Sequence, residues 1–320
     1  MAQTPTVYRW DDPGAPQTGN CTYSELVNII DKCLVTGYGD KSPLGWVKEL
    51  NDPLTCSYKN LGSGHSVVFS SSTGLDDDKG VRVQSAYNII DVDNLEKTGW
   101  KQAFKVFEDG NTSWVIVGTD RSFYCFFCYD GSYSMPNTHH QTGFFVGDLS
   151  NAIIGDSANF VAICSFISEN SSPENITVSS AYGTNIMFLN YAEQHEFDGA
   201  KIYDVDGGAE FSLYVPHELP FRAESPIPTK NTIPSNTLTK IYLFHKEYSS
   251  GFDRDGIPIV ESTISPAVRG SLPGLNSTLV GHPESMVWPA TVNYGDNYLL
   301  LKAVNNAPNR LVLNIEVWDD

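Results

Sequence analysis

Carboxylates are the most abundant chemical resource of this 320-residue chain, with 38 Asp and Glu against 20 Lys and Arg. Three runs crowd them into short turns: Asp76-Asp77-Asp78, Asp204-Val205-Asp206-Gly207 and Asp253-Arg254-Asp255-Gly256. A hard cation such as calcium wants several oxygen ligands converging from one loop, which makes Asp204, Asp206, Asp253 and Asp255 the candidate cation ligands. None of the runs has the spaced ligands and closing Glu of an EF-hand, and Asp-Gly is also the commonest chemistry of a tight hairpin turn. The turn reading is the stronger one. Paired carboxylates also serve glycoside hydrolysis, which needs two of them about 5 to 9.5 Å apart across the sugar. Among 38 acids some pair meets that distance by accident, and the sequence singles out none.

The other reactive side chains are equally unspecific. His139 and His140 are neighbours, which point apart on a strand and so do not chelate one ion. His195 lies among carboxylates in Glu193-Gln194-His195-Glu196 but lacks HExxH spacing. His65, His217, His245 and His282 are isolated and read as structural. Cys125-Phe126-Phe127-Cys128 has CxxC spacing inside an apolar, aromatic run. On a strand those two thiols face opposite sides, and no second CxxC completes a zinc site. Cys21, Cys33, Cys56 and Cys164 complete a set read as free, buried thiols. There is no GxSxG elbow, no GxxxxGK[ST] and no GxGxxG between a strand and a helix, so neither a serine nucleophile nor a bound nucleotide is indicated. No cofactor is expected.

Net charge is −18, a surface that repels phosphate backbones, so direct nucleic-acid binding is disfavoured. No apolar run reaches the roughly 18–20 residues that span a bilayer. Met1-Ala2-Gln3-Thr4-Pro5 has no basic-then-apolar pattern, so no signal peptide is expected and the chain should stay where it is made until packaged or released. The Asn-x-Ser/Thr sites at Asn20, Asn111, Asn170, Asn175 and Asn276 then mark only polar loops.

The elements that must position these groups are mostly strands. One helix is expected, opened by a Thr22-x-x-Glu25 capping box, carried by Leu26, Ile29, Ile30, Cys33 and Leu34 at helical spacing, and closed at Gly37. Thereafter short apolar runs alternate with Gly, Pro, Asn and Asp clusters. They are Ser66–Phe69, Val81–Gln84, Trp114–Gly118, Ser122–Phe127, Phe160–Phe166, Asn185–Leu189, Phe211–Val215, Lys240–Phe244, Tyr298–Leu301 and Leu311–Ile315. Thr119-Asp120-Arg121 joins two of them as a hairpin. The fold class that follows is mainly β, with sandwich- or barrel-type lobes and one short N-terminal helix. The expected organisation is an arm and helix over residues 1–60, a main lobe over 61–215, a proline-rich connector over 216–235 and a second β region over 236–320. Pro216, Pro220, Pro226, Pro228 and Pro234 bar the connector from a central strand. Ser168–Ser180 and Ser265–Pro289 read as long loops.

The most distinctive stretch is Tyr8-Arg9-Trp10-Asp11-Asp12-Pro13-Gly14-Ala15-Pro16-Gln17, followed after the helix by Gly37-Tyr38-Gly39. It resembles the N-terminus of an uncharacterised family of virion structural proteins of tailed bacteriophages. Arg269-Gly270-Ser271-Leu272-Pro273-Gly274-Leu275 resembles that family's RG-x-LPG segment. Phe145-Val146-Gly147-Asp148 with Gly155-Asp156 resembles its FGD…GD segment. The resemblance spans most of the chain and implies a context rather than a reaction. That context is a non-enzymatic, multi-copy structural component of a phage particle, in tail, baseplate or neck, made in the host cytoplasm. Its partners would be copies of itself and other virion proteins. Tyr8, Arg9, Trp10, Asp11 and Asp12 are then the candidate interface, since Arg and Trp are favoured anchors. The bland reading has Trp10 anchoring the arm and Arg9 pairing with a carboxylate. The alternatives are a capsid decoration protein, a receptor- or glycan-binding module with a host surface glycan as partner, and an envelope-degrading glycoside hydrolase.

Overall fold

A computed structural model describes residues 2–104, 106, 112–128, 141–150, 153–164, 200–217, 237–246, 255–258, 263–282, 286–301 and 309–319. The expected class holds: the protein is mainly β, with three antiparallel sheets and a single short α-helix among the described residues. The chain opens with β1 (Thr6–Arg9) and α1 (Tyr23–Asp31), which widens into a π-helical turn over Lys32–Thr36. Leu26, Ile29, Ile30, Cys33 and Leu34 share one face, each at most 1% exposed. A fully buried aliphatic side chain is worth roughly 2 kcal/mol, so this face holds the helix down. Gly37 ends the turn at φ 74°, its N–H donating to the Lys32 carbonyl at 2.7 Å.

The helix start departs from the capping box. Thr22 is the N-cap, yet its hydroxyl makes no capping bond. The Glu25 carboxylate accepts from the Gly19 and Asn20 amides at 3.1 and 2.9 Å. Asp76 takes the Ser24 amide at 2.8 Å and the Ser24 hydroxyl at 2.7 Å. The acidic turn Asp76–Asp78 therefore supplies a carboxylate to the helix N-terminus, where unpaired amides and the positive end of the dipole favour one.

The first sheet runs β2 (Val47–Asp52), β3 (Thr55–Lys59), β4 (Ser66–Ser71), β5 (Val81–Ile89) and β6 (Leu95–Thr98) in sequence order, with β7 (Gln102–Phe104) beside the first half of β5. The second holds β8 (Ser113–Gly118), β9 (Ser122–Cys128), β10 (Gln141–Asp148) and β11 (Phe160–Cys164), with β1 added alongside β8. The third holds β12 (Ala200–Tyr203), β13 (Phe211–His217), β14 (Leu238–His245), β15 (Val268–His282), β16 (Thr291–Asn293), β17 (Asn297–Leu301) and β18 (Asn309–Asn314), in the spatial order β12-β13-β14-β15-β18-β17-β16.

The second sheet is the middle layer of the protein. Trp114, Ile116, Phe123, Cys125, Phe127, Phe144, Val146 and Phe160 enter one core with α1 and the first sheet. Their immediate neighbours Val115, Val117, Tyr124, Phe126, Cys128, Phe145, Val161 and Ile163 enter another core with the third sheet. Successive strand residues point to opposite faces, so a strand with continuous burial must be covered on both. The continuous apolar runs in the sequence have this cause. β5 instead alternates buried with half-buried side chains over Val81–Gln84, as an outer sheet should.

β2 and β3 pair into the sheet of β4 and β5, and β12 and β13 belong with the C-terminal strands. Two expectations are corrected. Pro216 lies within β13 opposite Leu243, beyond the stretch that β12 pairs, a position where a strand tolerates proline. The remaining connector prolines and Asn185–Leu189 lie outside the described residues. Most of Ser265–Pro289, read as a loop, is the 15-residue strand β15. Its turn-forming residues are absorbed by a bulge: Ser271 pairs with Tyr242 and Asn276 with Lys240, leaving Leu272-Pro273-Gly274-Leu275 opposite Ile241 alone.

Candidate functional site

Two of the three sequence segments that carry the resemblance meet at the seam between the middle and third sheets. Arg269, 1% exposed, donates from Nε to Asp156 Oδ2 at 2.7 Å and from Nη2 to Asp156 Oδ1 at 2.8 Å. Nη2 also reaches the Tyr203 carbonyl at 2.6 Å, and the guanidinium lies 5.9 Å from the Tyr214 ring centroid. Both side chains of the pair are 1% exposed. Desolvating two charges is costly, and only such a two-pronged, fully hydrogen-bonded geometry offsets the cost. The same segments are tied again by the backbone bridge between Ser150 and Ser271.

The bulge after Arg269 reaches into the seam. Leu272 and Leu275 are buried in the core between the sheets, and the Pro273 carbonyl accepts the Tyr124 hydroxyl at 2.9 Å. Gly274 sits at φ 68° under the Trp318 indole, where a Cβ would lie 2.2 Å from Nε1, so only glycine fits. Trp318 in turn pairs its backbone with Gln3, just before β1. The N-terminal arm thus closes the circuit.

Asp148 lies at the end of β10 and is 7% exposed. Its carboxylate accepts from Asn60 Nδ2 at 2.8 Å, the Ser63 hydroxyl at 2.6 Å and the Ser63 amide at 2.9 Å, tying the middle sheet to the β3–β4 turn. Burial raises its pKa; the bonds from Ser63 and Asn60 and the charge of Arg121 oppose that without cancelling it.

The candidate interface residues prove to finish the edge of the middle sheet. Tyr8 is fully buried within the protein's own core, and its hydroxyl donates to the Ser42 carbonyl at 2.6 Å. Asp12 Oδ2 accepts the Arg9 amide and the Tyr38 hydroxyl, both at 2.8 Å. Lys41 Nζ donates to the Val7 carbonyl at 2.9 Å. These bonds cover the outward groups of β1, which would otherwise invite a strand from another chain. The arm thus adds a strand to the middle sheet. Its remaining surface is Arg9, Trp10 and Asp11, with Arg9 forked onto Asp11 at 2.7 Å and stacked over Trp10 at 5.3 Å.

Asp204 and Asp206 lie on a turn in which Gly207 donates to the Asp204 carbonyl and Gly208 to Asp206 Oδ1, both at 2.9 Å. Burial first, then repulsion from Asp206 and Glu210, raises the Asp204 carboxyl, with Arg269 opposing. Asp255 is exposed, and Asp253 lies outside the described residues. No three His, Cys, Asp or Glu side chains among the described residues converge as metal ligands. Cys125 and Cys128 do enter opposite cores, and burial raises the Cys125 thiol. His65 bridges the Tyr87 and Ser157 carbonyls at 3.0 and 2.9 Å, and His282 meets the Tyr294 hydroxyl. His139, His140 and His195 lie outside the described residues. Sequence reasoning missed the Arg269–Asp156 pair although it quoted both residues, because they stand 113 positions apart.

Two outcomes are expected. Arg269→Met costs about 3–5 kcal/mol in a denaturant titration, because it strands a buried carboxylate, and adding Asp156→Leu recovers most of the loss. Single costs under about 1 kcal/mol, as for an exposed pair, contradict the burial. For Asp148, a raised folded pKa means that its contribution is complete below the unfolded value of about 4 and is lost as pH rises through the folded value. Wild type therefore gains stability over Asp148→Asn as the pH falls from roughly 7 to 4; a flat or reversed difference sinks the assignment. Compared with known proteins, the chain matches no protein-family model and no curated protein.

Proposed function

We propose that the protein is a non-enzymatic structural component of a tailed phage particle, present in multiple copies in tail, baseplate or neck. The observation that carries the reading is the convergence at the seam. Two of the three segments that resemble the virion family, far apart in the chain, are engaged with one another as layer-to-layer fastenings. Arg269, Asp156 and Asp148, the charged residues of two of those segments, have their side chains hydrogen-bonded to protein partners. That is the chemistry of a scaffold, which must hold its shape under the load of assembly. An acidic surface keeps such a chain apart from its copies until assembly begins. No helix among the described residues is long and apolar enough to cross a membrane.

Of the candidate interface residues, Arg9 and Asp11 keep exposed side-chain surface for a contact with a neighbouring copy. Because symmetric arrays repeat one contact many times, a modest contact per copy suffices. The test is to purify particles of the phage whose genome encodes the chain, quantify the chain by mass spectrometry and image the particle at side-chain resolution. The reading expects several ordered copies per particle in a symmetric arrangement. A chain abundant in infected cells but missing from gradient-purified particles removes it.

A further inference from the structure

His65 closes the turn between β3 and β4, where the Asn60 amide donates to its carbonyl at 3.0 Å. Both nitrogens of its half-buried ring meet backbone oxygens. Nδ1 lies 3.0 Å from the Tyr87 carbonyl and Nε2 lies 2.9 Å from the Ser157 carbonyl. A carbonyl oxygen only accepts, and a neutral imidazole has one N–H and one lone pair. The neutral ring therefore makes one bond and sets its lone pair against the other oxygen. Only the imidazolium, with two N–H groups, satisfies both contacts. The ring also lies obliquely on Tyr87, with centroids 4.4 Å apart, and stands steeply to Phe160 at 6.1 Å.

The ring grips a point where the three sheets meet. Residues 156–158 lie between β10 and β11 of the middle sheet. Asp156 is clamped by Arg269 of β15, and the Ser157 amide and hydroxyl both donate to the Val205 carbonyl just after β12, at 3.0 and 3.1 Å. From the first sheet, the Tyr87 hydroxyl of β5 donates to the Ala158 carbonyl at 2.9 Å, beside the bond from His65 to Ser157. The ionisable groups around the ring come from each of these elements. Burial pushes the Tyr87 phenol up, so it stays neutral, and the Tyr203 ring meets it at 5.3 Å. Asp156 is paired with Arg269, and Lys59 of β3 with Glu49 at 3.0 Å. Asp148 is tied to Ser63, with the charge of Arg121 beside it. Asp204 and Asp206 flank the turn that sets Gly207 against Ser157, and Lys97 is drawn to the Gly207 carbonyl. The cations of this set are matched by carboxylates, so the surroundings do not oppose a charged ring.

We propose that His65 is a proton-operated clamp: with two ring protons it holds the first sheet to residues 156–158, and on losing one it releases one of its two carbonyls. The clamp acts within one chain and is independent of the role proposed above. The unfolded chain offers the ring no such partners, so the folded state favours the extra proton. The stabilisation is therefore complete at low pH and is lost as pH rises through the histidine range, about 5 to 8. The first readout is the wild-type ring itself, by nitrogen-15 spectra of histidine-labelled protein with His65 assigned from its absence in His65→Phe. Two N–H groups are expected at about pH 6 and one at about pH 8.5. The second readout is amide exchange of Ser157 and Ala158, corrected for the intrinsic effect of pH, with opening expected to rise about tenfold over that interval. The third is the stability of wild type over His65→Phe, a difference in which the Asp148 contribution cancels and which is expected to shrink as pH rises. A ring with a single N–H at the lower pH overturns the proposal. So does a pH-independent advantage over His65→Phe, which makes His65 a purely structural ring. If His65→Phe does not fold, His65→Gln supplies the assignment, and unchanged opening of Ser157 and Ala158 in the wild type then overturns the clamp.

Discussion

The structure depends on one constraint: the middle sheet is covered on both faces. Every side chain of β8, β9 and β11 must therefore be apolar or paired inside the protein, with no surface on which to place charge. This is why Trp114–Val117 and Phe123–Cys128 read as unbroken hydrophobic runs in a chain that is otherwise strongly acidic. Both outer sheets pack on the same strands, so a loss on one face is transmitted through a shared backbone to the other. Phe144 and Phe145, adjacent in sequence, serve different cores.

A doubly covered sheet creates a problem at its borders, where polar backbone must be satisfied without water. The protein answers with single polar groups placed at the ends and edges of the layer. Asp12, Tyr38 and Lys41 finish the outer side of β1, Asp148 ties the end of β10 to the first sheet, and Arg269 with Asp156 ties the following loop to the third. Each is a polar or charged group where an apolar one would leave backbone or side-chain polar groups unpaired. The motifs that stand out in the sequence are thus the fastenings of its layers.

Much of this was legible in the chain. The helix face, the hairpin over Thr119–Arg121 and most strands follow from period and turn chemistry, and the opposed faces of Cys125 and Cys128 follow from strand alternation alone. Three things were not legible, each because the deciding partner is distant in sequence. The stacking of three sheets required knowing that β2–β7 and β12–β18 cover opposite faces of the same strands. Asp76, not the local Thr22 hydroxyl, serves the start of α1, since a turn from the first sheet lies against it. Leu272-Pro273-Gly274-Leu275 carries every local sign of a loop, and only the long neighbour β14 and the Trp318 indole make it a bulge within β15. The Tyr8–Asp12 cluster was visible as unusual, but its use as an edge closure depends on Tyr38 and Lys41 folding back beside it.

The claim that both outer sheets depend on one shared layer is tested most directly by native-state hydrogen exchange, residue by residue, under increasing denaturant. The account predicts that the amides of β8, β9 and β10 are the last to exchange and do so only with global unfolding, with no part of the third sheet protected once they have opened. Persistent protection of β14, β15, β17 and β18 after the middle strands have exchanged would show that the C-terminal sheet stands alone, and the account would be wrong.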